Sequence, residues 1–355
     1  MKSVMRCNVR RSMCRALGLV LCVSVWLSVG TSSAEEWELD ADRIYDVGIQ
    51  IFEEYAPAEW RGQVELPGPD EWRTFWREME RALQSYELID LAWIRPEAET
   101  ALSFLQVLPV TEPYASWLLQ RMDYLDMAHQ VLRSHMDKPD PIRPPPPPRE
   151  ERSLKPPAPR SPVRVSPEEN RHMQSAARSE VNWNRKLAGR AAPARAAALV
   201  PGLKAIFDDE GVPPELIWLA EVESSFNPSA RSPVGATGLF QFMPATAERF
   251  GMNVAPQDDR LDPHKSARAA AQYLRFLHGR FESWPLALAA YNAGEGRVGR
   301  LLRTHDGVSF EDIVAYLPSE TQMYVPKVMA TVALREGIDP ATLPPPVRRL
   351  ALRGE

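Results

Sequence analysis

One carboxylate stands out for where it falls. In the run PPELIWLAEVESSFNPSARSPVGATGLFQFMP, from Pro213 to Pro244, the residues Leu216, Leu219, Ala220 and Glu223 recur at i, i+3, i+4 and i+7, neighbouring positions on one helical face. Pro213-Pro214-Glu215 supplies the helix start, proline first and an acid in the first turn. A carboxyl on an apolar face is costly to ionise, so its pKa rises. A carboxyl that keeps its proton near neutral pH can act as a general acid. Glu221 lies about 200° around the helix from Glu223, at ~100° per residue, and is expected to be solvated or locally paired. Taken alone, Glu223 also fits a buried structural glutamate paired with an arginine or a helix N-terminus.

Two further blocks lie downstream, AAYNAGEGRV from Ala289 to Val298 and ETQMYVP from Glu320 to Pro326. Read without context, Tyr291 is a core aromatic with its hydroxyl at the rim. Met243 is a core methionine, and Glu320 is a helix N-terminal acid after Pro318-Ser319. Together and in this order, however, the three blocks resemble the catalytic domain of the family 1 lytic transglycosylases. The resemblance covers roughly 200–334 and is to the membrane-bound lytic murein transglycosylase D group in particular, though no LysM sugar-binding module follows. It implies a goose-type lysozyme-like helical fold and cleavage of peptidoglycan glycan strands. Glu223, in the Glu223-Ser224 pair, would be the catalytic acid/base. Ser232 matches a serine near that carboxyl, and Gln241 and Met243 match a pair lining the glycan groove. Tyr291 and Asn292 match the Tyr-Asn of the second block, and Glu320 and Tyr324 match positions facing the groove. Gly235 and Gly238 would let the backbone turn beside the sugar.

Ordinary glycosidases use two carboxylates. Here Asp258, Asp259 and Asp262, in PQDDRLDP, read as a solvated turn with helix caps. A single working carboxylate is what the resemblance implies. The product is then a 1,6-anhydromuramic end. A lysozyme-type hydrolase on the same fold is the alternative, and a non-catalytic peptidoglycan-binding scaffold is a third reading. The six histidines form no HxxxH or HxH pair, so no metal site is indicated and no cofactor is expected.

The fold class is mainly α: a lysozyme-like helical catalytic domain preceded by a separate helical region and a Pro-rich linker. Residues 168–338 form the catalytic domain, with a helix resuming at Pro167 behind Ser166 as N-cap. Residues 138–167 are the linker, in which Pro144 to Pro148 favour an extended polyproline spacer. Residues 35–137 are helical by pattern. Ile44, Val47, Ile51 and Tyr55 keep helical spacing, as do Trp72, Phe75, Trp76, Met79 and Leu83, and then Trp117, Leu118, Met122, Leu125 and Leu132. Pro67, Pro69, Pro96, Pro109 and Pro113 are expected to divide this region into separate helices. Seven of the ten tryptophans precede the linker. Their spacing makes them a core rather than a sugar-stacking surface. The role of this region is open: a groove-extending platform, an autoinhibitory cap, or a surface for an envelope protein partner. Residues 339–355 are expected to be a poorly ordered tail.

Residues 1–34 read as an export signal. Lys2, Arg6, Arg10, Arg11 and Arg15 form a basic start, Ala16 to Val29 is apolar, and Ser32-Ser33-Ala34 offers a cleavage site before Glu35. The apolar run is short for a bilayer span of about 20 residues, and an uncleaved anchor is the alternative. Cys7, Cys14 and Cys22 all fall in this segment, which leaves no disulfide, thiol nucleophile or cysteine metal site downstream. Leu19-Val20-Leu21 before Cys22 is not a lipobox. Losing the five basic residues moves the formal charge from −5 to −10. So acidic a chain has no global attraction to nucleic acid. These features point to the periplasm or cell envelope.

Overall fold

The structure is a computed structural model that describes residues 68–106, 111–136 and 167–347, with Asp46 and Ile49 besides. The chain divides into two units, Met1–Trp37 and Glu38–Glu355, and every described residue belongs to the second. The export segment, most of 35–67, most of the linker and the last residues of the tail lie outside the described residues.

Helix α1 (Pro69–Gln84) begins as its sequence dictates. Pro69 sits in the first turn with Asp70 and Glu71, and the Gly68 amide donates to Glu71 Oε2 at 2.8 Å. It buries Trp72, Phe75, Trp76, Met79 and Leu83, the residues in helical register. Helix α2 (Leu88–Leu105) runs straight through Pro96, which was expected to separate two helices. A proline inside a helix costs ~3 kcal/mol. Leu91, Ala92, Ile94, Ala98 and Leu105 are all buried along α2, and burying a large apolar side chain contributes ~1.5–3 kcal/mol. The packing outweighs the break.

Helix α3 (Glu112–Met136) lies along α2 and carries Trp117 into contact with Trp76, ring centroids 5.8 Å apart. Trp72, Phe75, Trp76 and Trp117 are all buried, so these aromatics fill a core. That core does not stand apart from the downstream helices. Buried residues from Trp72 to Leu343 form one continuous cluster.

Beyond the linker, α4 (Pro167–Arg178) starts at the expected proline, and α5 (Glu180–Leu187) sets Trp183 edge-on to Tyr124 of α3 at 6.1 Å. Helix α6 (Ala196–Asp209) leads to a 3₁₀ turn (Pro214–Trp218) that continues as the short α7 (Leu219–Ser224). After an irregular, glycine-bearing loop come α8 (Pro244–Arg249), α9 (Pro263–Phe281), α10 (Trp284–Ala293), α11 (Glu295–Thr304) and α12 (Phe310–Ile313). Helix α13 (Ser319–Glu336) is central, touching α1, α4, α5, α7 and α10. Among the described residues no strand forms, only isolated bridges from Thr237 to Arg231 and to Phe242. The expected loose tail is held in its first part. Trp284 Nε1 donates to the Pro344 carbonyl at 3.0 Å, and the Val347 amide donates to Gly211 O at 2.8 Å.

Candidate active site

Glu223 sits at the C-terminal end of α7. The 3₁₀–α segment is not amphipathic: from Leu216 to Ser224 every residue is buried, on all sides. Glu221 is buried too, which corrects its reading as solvated or locally paired. Arg335 of α13 grips it with both ends of the guanidinium, at 2.6 and 2.8 Å. A bidentate partner 114 residues away satisfies this carboxylate and holds α7 to α13.

Helix α7 ends abruptly. Ser225 and Phe226 both take positive φ, 52° and 56°, which favours glycine and is strained for larger residues. The conformation persists because its side chains are fastened. Phe226 is fully buried edge-on to Trp218 at 5.6 Å, and Gln120 of α3 donates to Ser225 Oγ. The chain thus turns away one residue past Ser224 and leaves the Glu223 carboxyl at a helix end.

Only 4% of Glu223 is exposed. Burial pushes its carboxyl up to about 7, against the pull of the Arg121 cation and a hydrogen bond from Tyr324, while the charge of Glu320 adds to the rise. Tyr324, on α13, donates its hydroxyl to Glu223 Oε1 at 2.5 Å. Burial raises the Tyr324 and Tyr291 hydroxyls well above the usual phenol range, so both remain protonated donors. Glu320 lies one turn before Tyr324 on the same helix and is ion-paired with Arg121 at 3.0 Å.

The loop after α7 is tied to this helix end by its carbonyls. Ser224 Oγ donates to Leu239 O at 2.8 Å, and Tyr291 of α10 donates to Phe240 O at 2.8 Å. Gly238 has φ +87°, and a Cβ there would lie 2.0 Å from the Arg260 carbonyl oxygen. Only glycine fits. Arg260 itself is buried and donates to Gly235 O and Phe242 O, both at 3.0 Å, with Asp258 clamping its other edge. Asp258 and Asp262 cap the following helices as expected. Asp259 departs from the solvated reading: it is buried and accepts from Asn253 and Lys265.

Of the residues singled out from sequence, Tyr324 donates to Glu223, the charge of Glu320 adds to the burial that raises the Glu223 carboxyl, and the charge of Glu223 in turn adds to the burial that raises the Tyr291 hydroxyl. Ser232 is buried and its Oγ accepts the Ala236 amide at 2.8 Å, fastening its own turn. Gln241, at φ 49°, spends its amide nitrogen on Ala230 O and Gly238 O, and its Oε1 is buried without a partner. Met243 is 43% exposed rather than in the core. Asn292 accepts from Thr321 Oγ1 at 2.6 Å, joining α10 to α13. Among the described residues no cluster of histidine, cysteine or carboxylate side chains could hold a metal ion.

Sequence reasoning missed Arg121. It stands four residues after Trp117 and three after Leu118, in step with a buried stripe, and its guanidinium lies 4.5 Å over the Trp117 ring. A polar residue in register with an apolar stripe was the available signal.

Residues 204–314 match the Transglycosylase SLT domain family. The chain is 39% identical over 123 residues to membrane-bound lytic murein transglycosylase D of Escherichia coli (strain K12), covering 34% of this chain and 27% of that protein. It is 45% identical over 96 residues to the peptidoglycan transglycosylase gp16 of Escherichia phage T7, covering 26% of this chain and 7% of the phage protein. Among solved structures, the 70 kDa soluble lytic transglycosylase from Escherichia coli aligns over 86% of this chain and 62% of its own, at 20% identity and a TM-score of 0.35. Residues 204–314 are an SLT transglycosylase domain, homologous to those of the murein transglycosylases. The chain matches about a quarter or less of the length of these two relatives.

Proposed function

We propose that the protein is a peptidoglycan lytic transglycosylase with Glu223 as its single acid/base. The observation that carries this reading is a buried carboxyl held up at about 7 beside a second carboxylate, Glu320, already committed to Arg121. Near neutral pH Glu223 is thus poised between its protonated and ionised forms, as a group that must both give and take a proton requires.

Tyr324 occupies Oε1, which leaves Oε2 to carry the transferable proton. Glu223 gives that proton to the oxygen joining N-acetylmuramic acid to N-acetylglucosamine, and the bond from C1 to that oxygen breaks. The acetamido group of the sugar stabilises the cationic centre in place of a second carboxylate. The Glu223 carboxylate then takes the proton of the muramic C6 hydroxyl as its oxygen bonds to C1. The product is a 1,6-anhydromuramic end, no water is consumed, and the acid is regenerated. Attack by a hydroxyl of the same sugar replaces a bimolecular step with an intramolecular one, which can contribute ~7 kcal/mol or more when well oriented. Met243 and Gln241 belong to the glycan groove in this reading, with the Gln241 backbone turn, more than its amide nitrogen, shaping the wall.

The basic and apolar N-terminal run supports export to the envelope with cleavage after Ala34. No described helix is long and apolar enough to cross a membrane. The test of the activity is mass spectrometry of the soluble products from purified peptidoglycan. Anhydromuramic ends are expected, and none from Glu223→Gln; reducing ends would mean hydrolysis instead.

A further inference from the structure

The part of the chain upstream of the linker is fastened to the elements that hold Glu223, and it lies outside the SLT match. Three consecutive turns of α3, from Glu112 to Asp123, are attached to the elements on either side of the carboxyl. Glu112 and Ser116 accept from Asn227 Nδ2, three residues past α7, at 3.1–3.2 Å. Gln120 fixes Ser225, and its own carbonyl accepts from Lys327 Nζ of α13 at 2.7 Å. Arg121 pairs with Glu320 at 3.0 Å, and Asp123 pairs with Lys327 at 2.9 Å. Arg121 and Glu320 keep side-chain exposures of only 9% and 13%.

We propose that Arg121, through its ion pair with Glu320, is a positioning residue that sets the electrostatic environment of Glu223 and the seat of Tyr324, so that α3 is a working part of the active site. This rests on the lytic reading above for its purpose and on geometry for its substance. Glu320 and Tyr324 stand one turn apart on α13, so gripping the first fixes the second against Glu223. Arg121 cannot lose its charge, and Trp117 beneath it holds the guanidinium plane. The pair places opposite charges at the same carboxyl. Arg121 favours its ionised form and Glu320 its protonated form. The groups facing Glu223 are Arg121 and Tyr124 from α3, Glu320, Tyr324 and Lys327 from α13, and Tyr291 from α10.

Opposite charges give a test by sign. Carbon-13 NMR of the glutamate carboxyls in the full chain follows the Glu223 signal, assigned as the one missing from Glu223→Gln. Glu320→Gln leaves Arg121 unopposed and should move the Glu223 midpoint down by roughly 0.5 pH unit or more. Arg121→Gln leaves Glu320 unopposed and should move it up by a similar amount. The double variant should fall between them. Midpoints that stay put, or move in the same direction, in variants with native circular dichroism would overturn the proposal. If one variant fails to fold, the sign shown by the other still decides. Because the titration needs no substrate, it separates this inference from the lytic reading. Wild-type protein that titrates as described and releases no muropeptide would defeat only the latter.

Discussion

Replacing Glu223 by glutamine should stabilise the protein, and by more the higher the pH. Burial lifts this carboxyl from an ordinary 4.5 to about 7. Between those values the folded state still holds a proton that the unfolded chain has released, so stability falls as pH rises through the window. Below about 4.5 both states are protonated and the carboxyl costs little. Above about 7 both are ionised and the whole cost stands. At ~1.4 kcal/mol per pH unit, that cost is roughly 3 kcal/mol at pH 8 and about 1 kcal/mol at pH 5. Glutamine keeps the shape and still accepts the Tyr324 hydroxyl, but it does not titrate. The assay is chemical denaturation of both proteins from pH 5 to pH 8. The advantage of Glu223→Gln should grow by about 2 kcal/mol across that range. A difference independent of pH, or one that shrinks, would refute the burial argument and with it the basis for a general acid.

Two other perturbations read the site from different sides. Tyr324→Phe removes the hydrogen bond that favours ionised Glu223, so the basic limb of the kcat/KM profile should move up while the rate falls ~10-fold; an unmoved limb would mean the bond does not bear on the acid. Gly238→Ala drives a Cβ into the Arg260 carbonyl and strains φ at +87°, so thermal melting should drop by several degrees, for a cost of ~2 kcal/mol or more. An unchanged melting temperature would show that the loop relaxes freely.

Much of this was legible locally. Glu223 was singled out by the resemblance carried by its Glu223-Ser224 pair, since a carboxylate in an apolar stretch also fits a structural role, which is the role Glu221 takes in the same stretch. The helices of α1 and α3 followed from spacing alone, and Asp262 was readable as a cap because capping acts within three residues. What was hidden depends on distant partners. Glu221 looked solvated until Arg335, on α13, closed on it. Arg121 meets Glu320 across 199 residues, and nothing near either residue announces the other. Pro96 was given its local cost but not the packing of α2 on α3 that overrides it. The tail at 339–347 looked loose because its anchors, the Trp284 indole and the Gly211 carbonyl, lie far back in the chain. Even the shape of α7 escaped periodicity, since a helix buried on every side has no face to detect.

The central claim, one carboxyl cutting glycan without water, is tested most directly by the ends it leaves. Purified peptidoglycan should be digested in ¹⁸O-labelled water and the soluble muropeptides weighed by mass spectrometry. The account requires 1,6-anhydromuramic ends carrying no label, released by the wild-type protein and not by Glu223→Gln. Reducing ends that carry ¹⁸O, or anhydro ends released equally by Glu223→Gln, would contradict it.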